Sequence, residues 1–276
     1  MSDAFDQFLQ AELKSIDEAG LLRSLRRIET PQQVEVYSGD RALINFSSND
    51  YLGLAAHESL RAAAQAVVET LGAGAGSARL ISGSQTISHD LETALATFKQ
   101  AEAALSFSSG YAAALGTVPA LVGQGDVVII DKLVHACLVD AARLSDAKLR
   151  VFKHNDLADL ESILQWADER EGNTLVISES VFSMDGDLAP VRDLVQLKDR
   201  YGAWLMLDEA HATGLYGEGR RGIAEEMGVA DGVEMQLGTL GKALGAAGGY
   251  ICGSQALIDL LVNRARSFIF STAPVP

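Results

Sequence analysis

A lysine between glycines is the first residue in this sequence whose surroundings suggest chemistry. Lys242 lies in the segment GTLGKA (238–243), directly after the apolar stretch 233–237, and the chain then carries no charge as far as Ile258. Such a lysine can simply be exposed on a turn. It can also lie in a partly desolvated pocket, where a lysine amine stays reactive and forms Schiff bases.

A second motif favours the reactive interpretation. The segment LMLDEAH (205–211) ends an apolar run 34 residues before Lys242, and it places Asp208 at the tip of a predicted buried strand. Pyridoxal 5′-phosphate (PLP) requires this pair of groups, because an acid pairs with its pyridinium nitrogen and a lysine forms the Schiff base. The two motifs together predict a PLP site.

The elements that must hold these residues alternate along the chain. Short apolar runs are separated by helical or loop-helix stretches, a pattern typical of a largely parallel sheet with helices on both faces. The predicted strands are 104–107, 127–130, 149–152, 175–177, 204–207, 235–237 and 250–252. Ligands of such sheets gather at the carboxyl ends of the strands. The residues at or just past those ends are His135, Ser183, Asp208, His211 and Lys242.

The N-terminal part has a different pattern. Phe5, Leu9, Leu13 and Ile16 recur at helical spacing and predict an amphipathic helix. Segments 34–37 and 42–46 flank the turn sequence SGD (38–40) and predict a hairpin. Further helices are predicted over 60–71 and 89–98.

Composition excludes several classes of function. The chain has 276 residues, 48% of them hydrophobic, and a formal charge of −15, which argues against a nucleic-acid or anionic-membrane partner. Cys137 and Cys252 form no metal or redox motif, so we expect two reduced thiols and no metal site. The N-terminus is acidic and lacks an apolar signal core, which favours a cytoplasmic protein. Segment 103–125 is uncharged but rich in serine and glycine, so we expect a buried strand-turn-helix rather than a membrane span.

Two short motifs suggest other functions but lack the required context. GAGAG (72–76) looks like a dinucleotide-binding loop, yet it follows a predicted helix rather than a strand. DEAH (208–211) is a helicase-like tetrad, and the phosphate-binding loop that such proteins need does not occur in the sequence.

Seven segments spread over nearly the whole chain resemble the α-oxoamine synthase family. They are SNDYLGL (48–54), SARLISG (77–83), FSSGY (107–111), ESVFSMDGD (179–187), DEAH (208–211), GTLGK (238–242) and FIFST (268–272). The resemblance implies the fold type I of PLP-dependent transferases, the aspartate-aminotransferase fold, with a mostly parallel sheet sandwiched by helices. It also implies an N-terminal helix-and-strand segment over 1–45 and a large PLP-binding domain over 46–276. The family's small C-terminal domain, which supplies an arginine for the amino-acid carboxylate, is expected to be largely absent from this chain.

The resemblance assigns catalytic roles to four residues. Lys242 corresponds to the lysine that carries PLP and later shuttles the proton. Asp208 corresponds to the partner of the ring nitrogen, and His135 to the residue that stacks on the ring. His211 corresponds to a hydrogen-bond partner of the phenolic oxygen of PLP, a contact that it would share with Ser183. Taken alone, His135 could equally be a structural histidine and Ser183 a turn residue.

Further roles concern the phosphate, the partner subunit and the substrates. The amides of Gly110 and Tyr111 open a helix and would bind the phosphate, together with the hydroxyl of Thr239. Thr272 would reach the phosphate of a neighbouring subunit, which implies a homodimer. The resemblance also assigns substrate contacts, to Arg23, Asn49 and His135.

The implied reaction is a condensation of L-alanine with a pimeloyl thioester, carried by coenzyme A or a carrier protein, in biotin biosynthesis. A sibling reaction of glycine or serine with another acyl thioester stays open, as does a non-catalytic scaffold. The sequence departs from the family pattern at three positions. Cys137 stands where a small residue such as serine is usual, Ala114 where asparagine is usual, and Ala212 where glycine is usual.

Overall fold

The computed structural model describes residues 3–276, and the chain divides into two compact units, one up to Ser47 and one from Ser48 onwards. The first two residues of the acidic N-terminal segment lie outside the described residues. The sequence-based boundary between residues 45 and 46 stays a prediction.

The first unit contains one helix and one hairpin. Helix α1 (Asp3–Glu18) carries the predicted apolar stripe, and strands β1 (Glu35–Ser38) and β2 (Arg41–Ile44) pair antiparallel. Gly39 turns the chain between them with a φ of 57°, a conformation that favours glycine. The predicted helix and hairpin are therefore both confirmed.

The second unit is built on one seven-stranded sheet. Its strands are β3 (Ala103–Phe107), β4 (Val127–Asp131), β5 (Lys148–Phe152), β6 (Thr174–Glu179), β7 (Trp204–Asp208), β8 (Met235–Thr239) and β9 (Gly249–Gly253). The order across the sheet is β3-β9-β8-β7-β6-β4-β5, and all neighbours run parallel except β9, which is antiparallel to both β3 and β8. Each of the seven predicted strands is present, and the predicted α/β fold with a mostly parallel sheet is confirmed.

Helices precede, connect and follow these strands. They are α2 (Glu58–Leu71), α3 (Thr86–Lys99), α4 (Gly110–Leu121), α5 (Ala136–Leu144), α6 (Leu157–Asp168), α7 (Val191–Arg200), α8 (Ile223–Glu226), α9 (Gln255–Arg264) and α10 (Arg266–Ile269). A π-helical turn covers Arg79–Gly83, and a 3-10 turn covers Ala230–Gly232. The uncharged segment 103–125 forms β3 and α4, as predicted. Within residues 3–276, no helix is both long enough and apolar enough to cross a membrane.

The centre of the sheet is covered on both faces. All five residues of β4 are buried, and so are five of the six residues of β6. Since side chains alternate between the two faces of a strand, continuous burial means that neither face meets solvent there. This explains why these strands appear in the sequence as unbroken apolar runs.

One edge of the sheet collects the carboxyl ends of β5 and of five further strands. Strands β4, β6, β7 and β8 run in the same direction, and β3 joins them because it lies antiparallel to β9. In the register of β6 and β7, Glu179 is opposite Asp208, so the last residues of these two strands are neighbours. The connections that leave this edge carry most of the predicted site residues.

Candidate active site

A cavity of about 170 Å³ opens at this edge of the sheet. Its lining comes from the last residues of β6, β7 and β8 and from the segments that follow β3, β4, β7 and β8. The lining residues are Gly110, Tyr111, His135, Cys137, Glu179, Asp208, Ala210, His211, Leu237, Thr239 and Lys242. Seven of the predicted site residues are therefore brought together from four separate parts of the chain.

Asp208 is one of two buried acids that line the cavity. It is the last residue of β7 and is 6% exposed, and its Oδ1 accepts the backbone N–H of Ala210 at 2.8 Å. Burial raises the pKa of Asp208 to about 6, although the hydrogen bond from Ala210 and the charge of Lys242 oppose the rise. An ionised carboxylate at this position is under-solvated, and a cationic partner in the cavity would stabilise it.

Lys242 begins a chain of hydrogen bonds. Its Nζ lies 2.7 Å from Nε2 of His211, whose Nδ1 lies 2.7 Å from the hydroxyl of Tyr51. That hydroxyl donates to Oδ1 of Asn49 at 3.1 Å. All four groups are satisfied when Lys242 donates to Nε2 and the Nδ1–H of His211 donates to Tyr51.

Burial controls the protonation of this chain. It lowers the pKa of His211 to about 4, and the charge of Lys242 acts in the same direction. Burial also lowers the pKa of Lys242, although Asp208 and Glu179 partly oppose this. A neutral imidazole therefore faces a lysine that gives up its proton more readily than an exposed one, which is the state required of a nucleophilic amine.

The N-terminus of α4 forms another wall of the cavity. Ser109 caps the helix, and its side chain accepts the N–H of Ala112 at 3.0 Å. The first N–H groups of a helix have no acceptors within the helix, so those of Gly110 and Tyr111 are suited to an anion. Strand β9 approaches this turn closely: a Cβ added to Gly249 would lie only 2.4 Å from the backbone nitrogen of Gly110, so only glycine fits at this position.

Thr239 lies beside this turn, at the end of β8. Its hydroxyl donates to the carbonyl of Gly248 at 3.0 Å and accepts the N–H of Gly241 at 3.1 Å. These two bonds fix the hydroxyl group at the mouth of the cavity and shape the turn that leads to Lys242.

His135 and Cys137 line the cavity at the start of α5. His135 caps α5, and its Nδ1 accepts the backbone N–H of Cys137 at 3.2 Å and lies 3.0 Å from Sγ of the same residue. Burial raises the pKa of Cys137 to about 12, so its thiol is neutral and can donate to the ring. The remaining proton of a neutral His135 is then on Nε2.

The other predicted residues have different positions. Asn49 reaches the cavity through Tyr51 and does not line it, and Ser183 is exposed in the connection after β6. Thr272 forms an isolated antiparallel bridge with Ala78 and is also not among the lining residues. Arg23 belongs to the first unit, in the segment between α1 and β1. The roles predicted for these four residues stay predictions.

The sequence pattern of aminotransferases of class I and II matches residues 41–276. The chain belongs to this family. It is 50% identical to the 8-amino-7-oxononanoate synthase of Geobacter sulfurreducens over 269 residues, which is 97% of this chain and 68% of that protein. A protein of the same name from Symbiobacterium thermophilum is 44% identical over 99% of this chain and 70% of its own length.

Solved structures with the same fold include two enzymes. The serine palmitoyltransferase of S. paucimobilis with a bound PLP-myriocin aldimine matches with a TM-score of 0.90 and 28% identity, over 100% of this chain and 70% of that one. The 8-amino-7-oxononanoate synthase of Francisella tularensis matches with a TM-score of 0.72 and 29% identity, over 83% of this chain and 64% of that one.

The groups that line the cavity fit the cofactor of this family. PLP carries a basic ring nitrogen, an aldehyde and a phosphate. The cavity offers the buried carboxylate of Asp208, the amine of Lys242 and the helix N-terminus at Gly110. Each chemical group of the cofactor thus has a complementary group of the protein within one small space.

Sequence reasoning missed Glu179 and Tyr51 as members of the site. Glu179 is an acid at the end of a buried strand, the same signal that identified Asp208. Tyr51 belongs to the SNDYLGL motif, but its contact with His211 joins residues 160 positions apart. Helical or strand periodicity carries no information about such a contact.

Proposed function

We propose that this chain catalyses the PLP-dependent condensation of L-alanine with a pimeloyl thioester, which gives 8-amino-7-oxononanoate in biotin biosynthesis. The observation that carries the proposal is the 50% identity with a synthase of that name over nearly the whole chain. The cavity around Lys242 and Asp208 supports it, since both groups that PLP chemistry requires are present.

PLP, when bound, supplies an electron-withdrawing ring that stabilises a carbanion on the amino acid's α-carbon. Asp208 would keep the ring nitrogen protonated, and the cation would in turn relieve the cost of the buried carboxylate. His135 would pack on the ring, and His211 and Ser183 would be hydrogen-bond partners of its phenolic oxygen.

Lys242 would hold the cofactor covalently and, once released by alanine, remove the α-proton with its neutral amine. Burial favours this neutral amine by lowering the pKa of Lys242. The hydrogen bond to His211 at 2.7 Å would orient the amine between its two tasks. Return of the proton to the product carbon would complete the cycle after carbon dioxide has left.

The phosphate would bind at the amides of Gly110 and Tyr111 and at the hydroxyl of Thr239. Thr272 would contact the phosphate of the second subunit in a homodimer. Asn49 would contact the substrate. It is the last member of the series of hydrogen bonds that runs from Lys242 through His211 and Tyr51. Arg23 would make a further substrate contact.

Two alternatives are less well supported. A serine palmitoyltransferase matches with a higher TM-score, 0.90, but with only 28% identity. Since substrate choice depends on side chains rather than on the fold, the higher identity decides in favour of alanine and a pimeloyl group. A non-catalytic scaffold would not need a buried acid and a desolvated lysine in one cavity. The acyl carrier, coenzyme A or a carrier protein, and a cytoplasmic location belong to the proposal.

The test combines each of alanine, glycine and serine with pimeloyl-CoA and with palmitoyl-CoA in the presence of the PLP-loaded protein. Mass spectrometry of the products should show 8-amino-7-oxononanoate from alanine and pimeloyl-CoA, and this product should vanish with Lys242→Ala. Faster turnover of serine with palmitoyl-CoA would refute the proposed substrates and favour the sibling reaction.

A further inference from the structure

Glu179 is a buried acid of the cavity to which the proposed reaction assigns no task. It ends β6, is 2% exposed and lines the same cavity as Asp208 and Lys242. A carboxylate in such a position is costly unless it has strong partners. Its partners therefore indicate what it does.

The partners of Glu179 are backbone N–H groups of two separate connections. Its Oε1 accepts the N–H of His135 at 2.5 Å, in the connection between β4 and α5. The backbone N–H of Ser183, in the connection after β6, also acts on this carboxylate and lowers its pKa. One side chain thus binds the connection that carries the proposed ring-stacking residue and is influenced by the connection that carries a proposed ligand of the phenolic oxygen.

The charge of this carboxylate is sensitive to its neighbours. Asp208 faces it from the adjacent strand, and Lys242, His135 and Cys137 face it across the cavity. Burial, followed by the charge of Asp208, raises the pKa of Glu179 to about 7, while the bonds from the two amides and the charge of Lys242 oppose the rise. An ionised acceptor makes stronger hydrogen bonds than a neutral one. The interaction of Glu179 with the two connections should therefore strengthen as the carboxyl ionises within the neutral pH range.

We propose that Glu179 is a positioning residue of the cofactor site, which holds the His135 and Ser183 connections in place and holds them more firmly when it is ionised. This inference rests on the proposed function only where it concerns PLP. The link between the two connections is a property of the chain itself and can be measured without the cofactor.

The first experiment measures PLP affinity for wild type and Glu179→Gln between pH 6 and pH 8. Glutamine carries no charge and has one acceptor oxygen instead of two, so it binds backbone N–H groups more weakly than an ionised carboxylate does. At pH 8 the variant should bind PLP about tenfold more weakly, the loss expected for one charge-assisted hydrogen bond, and at pH 6 the two proteins should differ by less than about twofold. If the ratio of the two PLP affinities, wild type to variant, is the same at pH 6 and pH 8, the inference is overturned, because a merely structural role gives no pH dependence.

The matched control is Glu92→Gln. Glu92 is also a buried carboxylate, held by Arg79 and by the backbone and hydroxyl of Ser106, and it is not among the lining residues of this cavity. The Glu92→Gln substitution should lower the melting temperature, and the ratio of PLP affinities between wild type and this variant should be independent of pH. A pH-dependent ratio here equal to that of Glu179→Gln would mean that the effect is general and would also overturn the inference.

The second experiment uses the wild-type protein without PLP and so remains decisive if the variant does not fold. Hydrogen exchange of the His135 and Ser183 amides, corrected for the intrinsic pH dependence, should become slower together as the pH rises through about 7. Protection that is independent of pH, or that changes at only one of the two amides, would contradict the proposed link. Failure of the wild type to bind PLP would refute the proposed function without affecting this result.

Discussion

Replacing Asp208 by asparagine should make the cofactor-free protein more stable while it weakens PLP binding. The physical reason is that Asp208 is buried with one hydrogen bond from Ala210 and is poorly solvated when ionised. Asparagine keeps the shape and the acceptor for that bond but carries no charge. The same substitution removes the group that would hold the ring nitrogen protonated.

The pKa of Asp208 sets the magnitude and the pH range. The rise from an ordinary value of 3.8 to about 6 corresponds to about 3 kcal/mol by which the folded state disfavours the ionised form. A carboxyl whose pKa is raised on folding loses stability as the pH rises from its unfolded value to its folded value. The advantage of Asp208→Asn should therefore be near zero at pH 3.5, increase between about pH 4 and pH 6, and stay constant above.

Urea denaturation of the cofactor-free proteins at several pH values measures this difference directly. The control is Asp131→Asn, because Asp131 is equally buried but accepts hydrogen bonds from Leu133, Asn155 and His154. Asparagine keeps only one of the two acceptor oxygens, so the control should be destabilised by about 2 kcal/mol. An Asp208→Asn protein that is less stable than wild type at pH 8, or a difference that does not vary with pH, would refute the reasoning.

Two further predictions concern the lysine and the helix N-terminus. Borohydride reduction of the PLP-loaded protein should fix the cofactor on the peptide that contains Lys242, and Lys242→Ala should take up no label; a label on Lys99 or another lysine would contradict the assignment. Gly249→Ala places a methyl group 2.4 Å from the backbone nitrogen of Gly110 and should therefore weaken PLP binding at least about tenfold, since the amides at the start of α4 must shift. The control Gly123→Ala meets nothing closer than 3.7 Å and should bind PLP as wild type does, so equal affinities for all three proteins would count against a phosphate site at this turn.

The sequence predicts the strands of this fold well and their arrangement poorly. Continuous burial leaves an apolar run in the sequence, and all seven such runs became strands of the sheet. The position of β9, antiparallel between β3 and β8, depends on which edges pair across the folded chain. Hydrophobic periodicity does not encode that choice.

The same limit explains what was missed in the cavity. Asp208 and Glu179 carry the same local signal, an acid at the end of a buried strand, but only the adjacency of β6 and β7 places both in one cavity. Asp131 also ends a buried strand, yet its carboxylate is engaged by His154 and by the backbone of Asn155. Strand order and local partners, which no single segment reveals, decide which of the three acids can meet a ligand.

The parallel pairing of β6 and β7 has an electrostatic consequence for the choice of ligand. It fixes Glu179 and Asp208 as neighbours. Burial raises the pKa of both carboxyls, and the charge of Asp208 raises that of Glu179 further. Lys242 offers only partial relief, because burial lowers its own pKa. A cavity with two such acids gains most from a ligand that brings a cationic group between its walls, as a protonated ring nitrogen would. The negative charge of Asp208 would then destabilise the cofactor-free fold and, in the same position, favour a pyridinium ligand. For this reason the Asp208→Asn substitution should raise stability and lower PLP affinity.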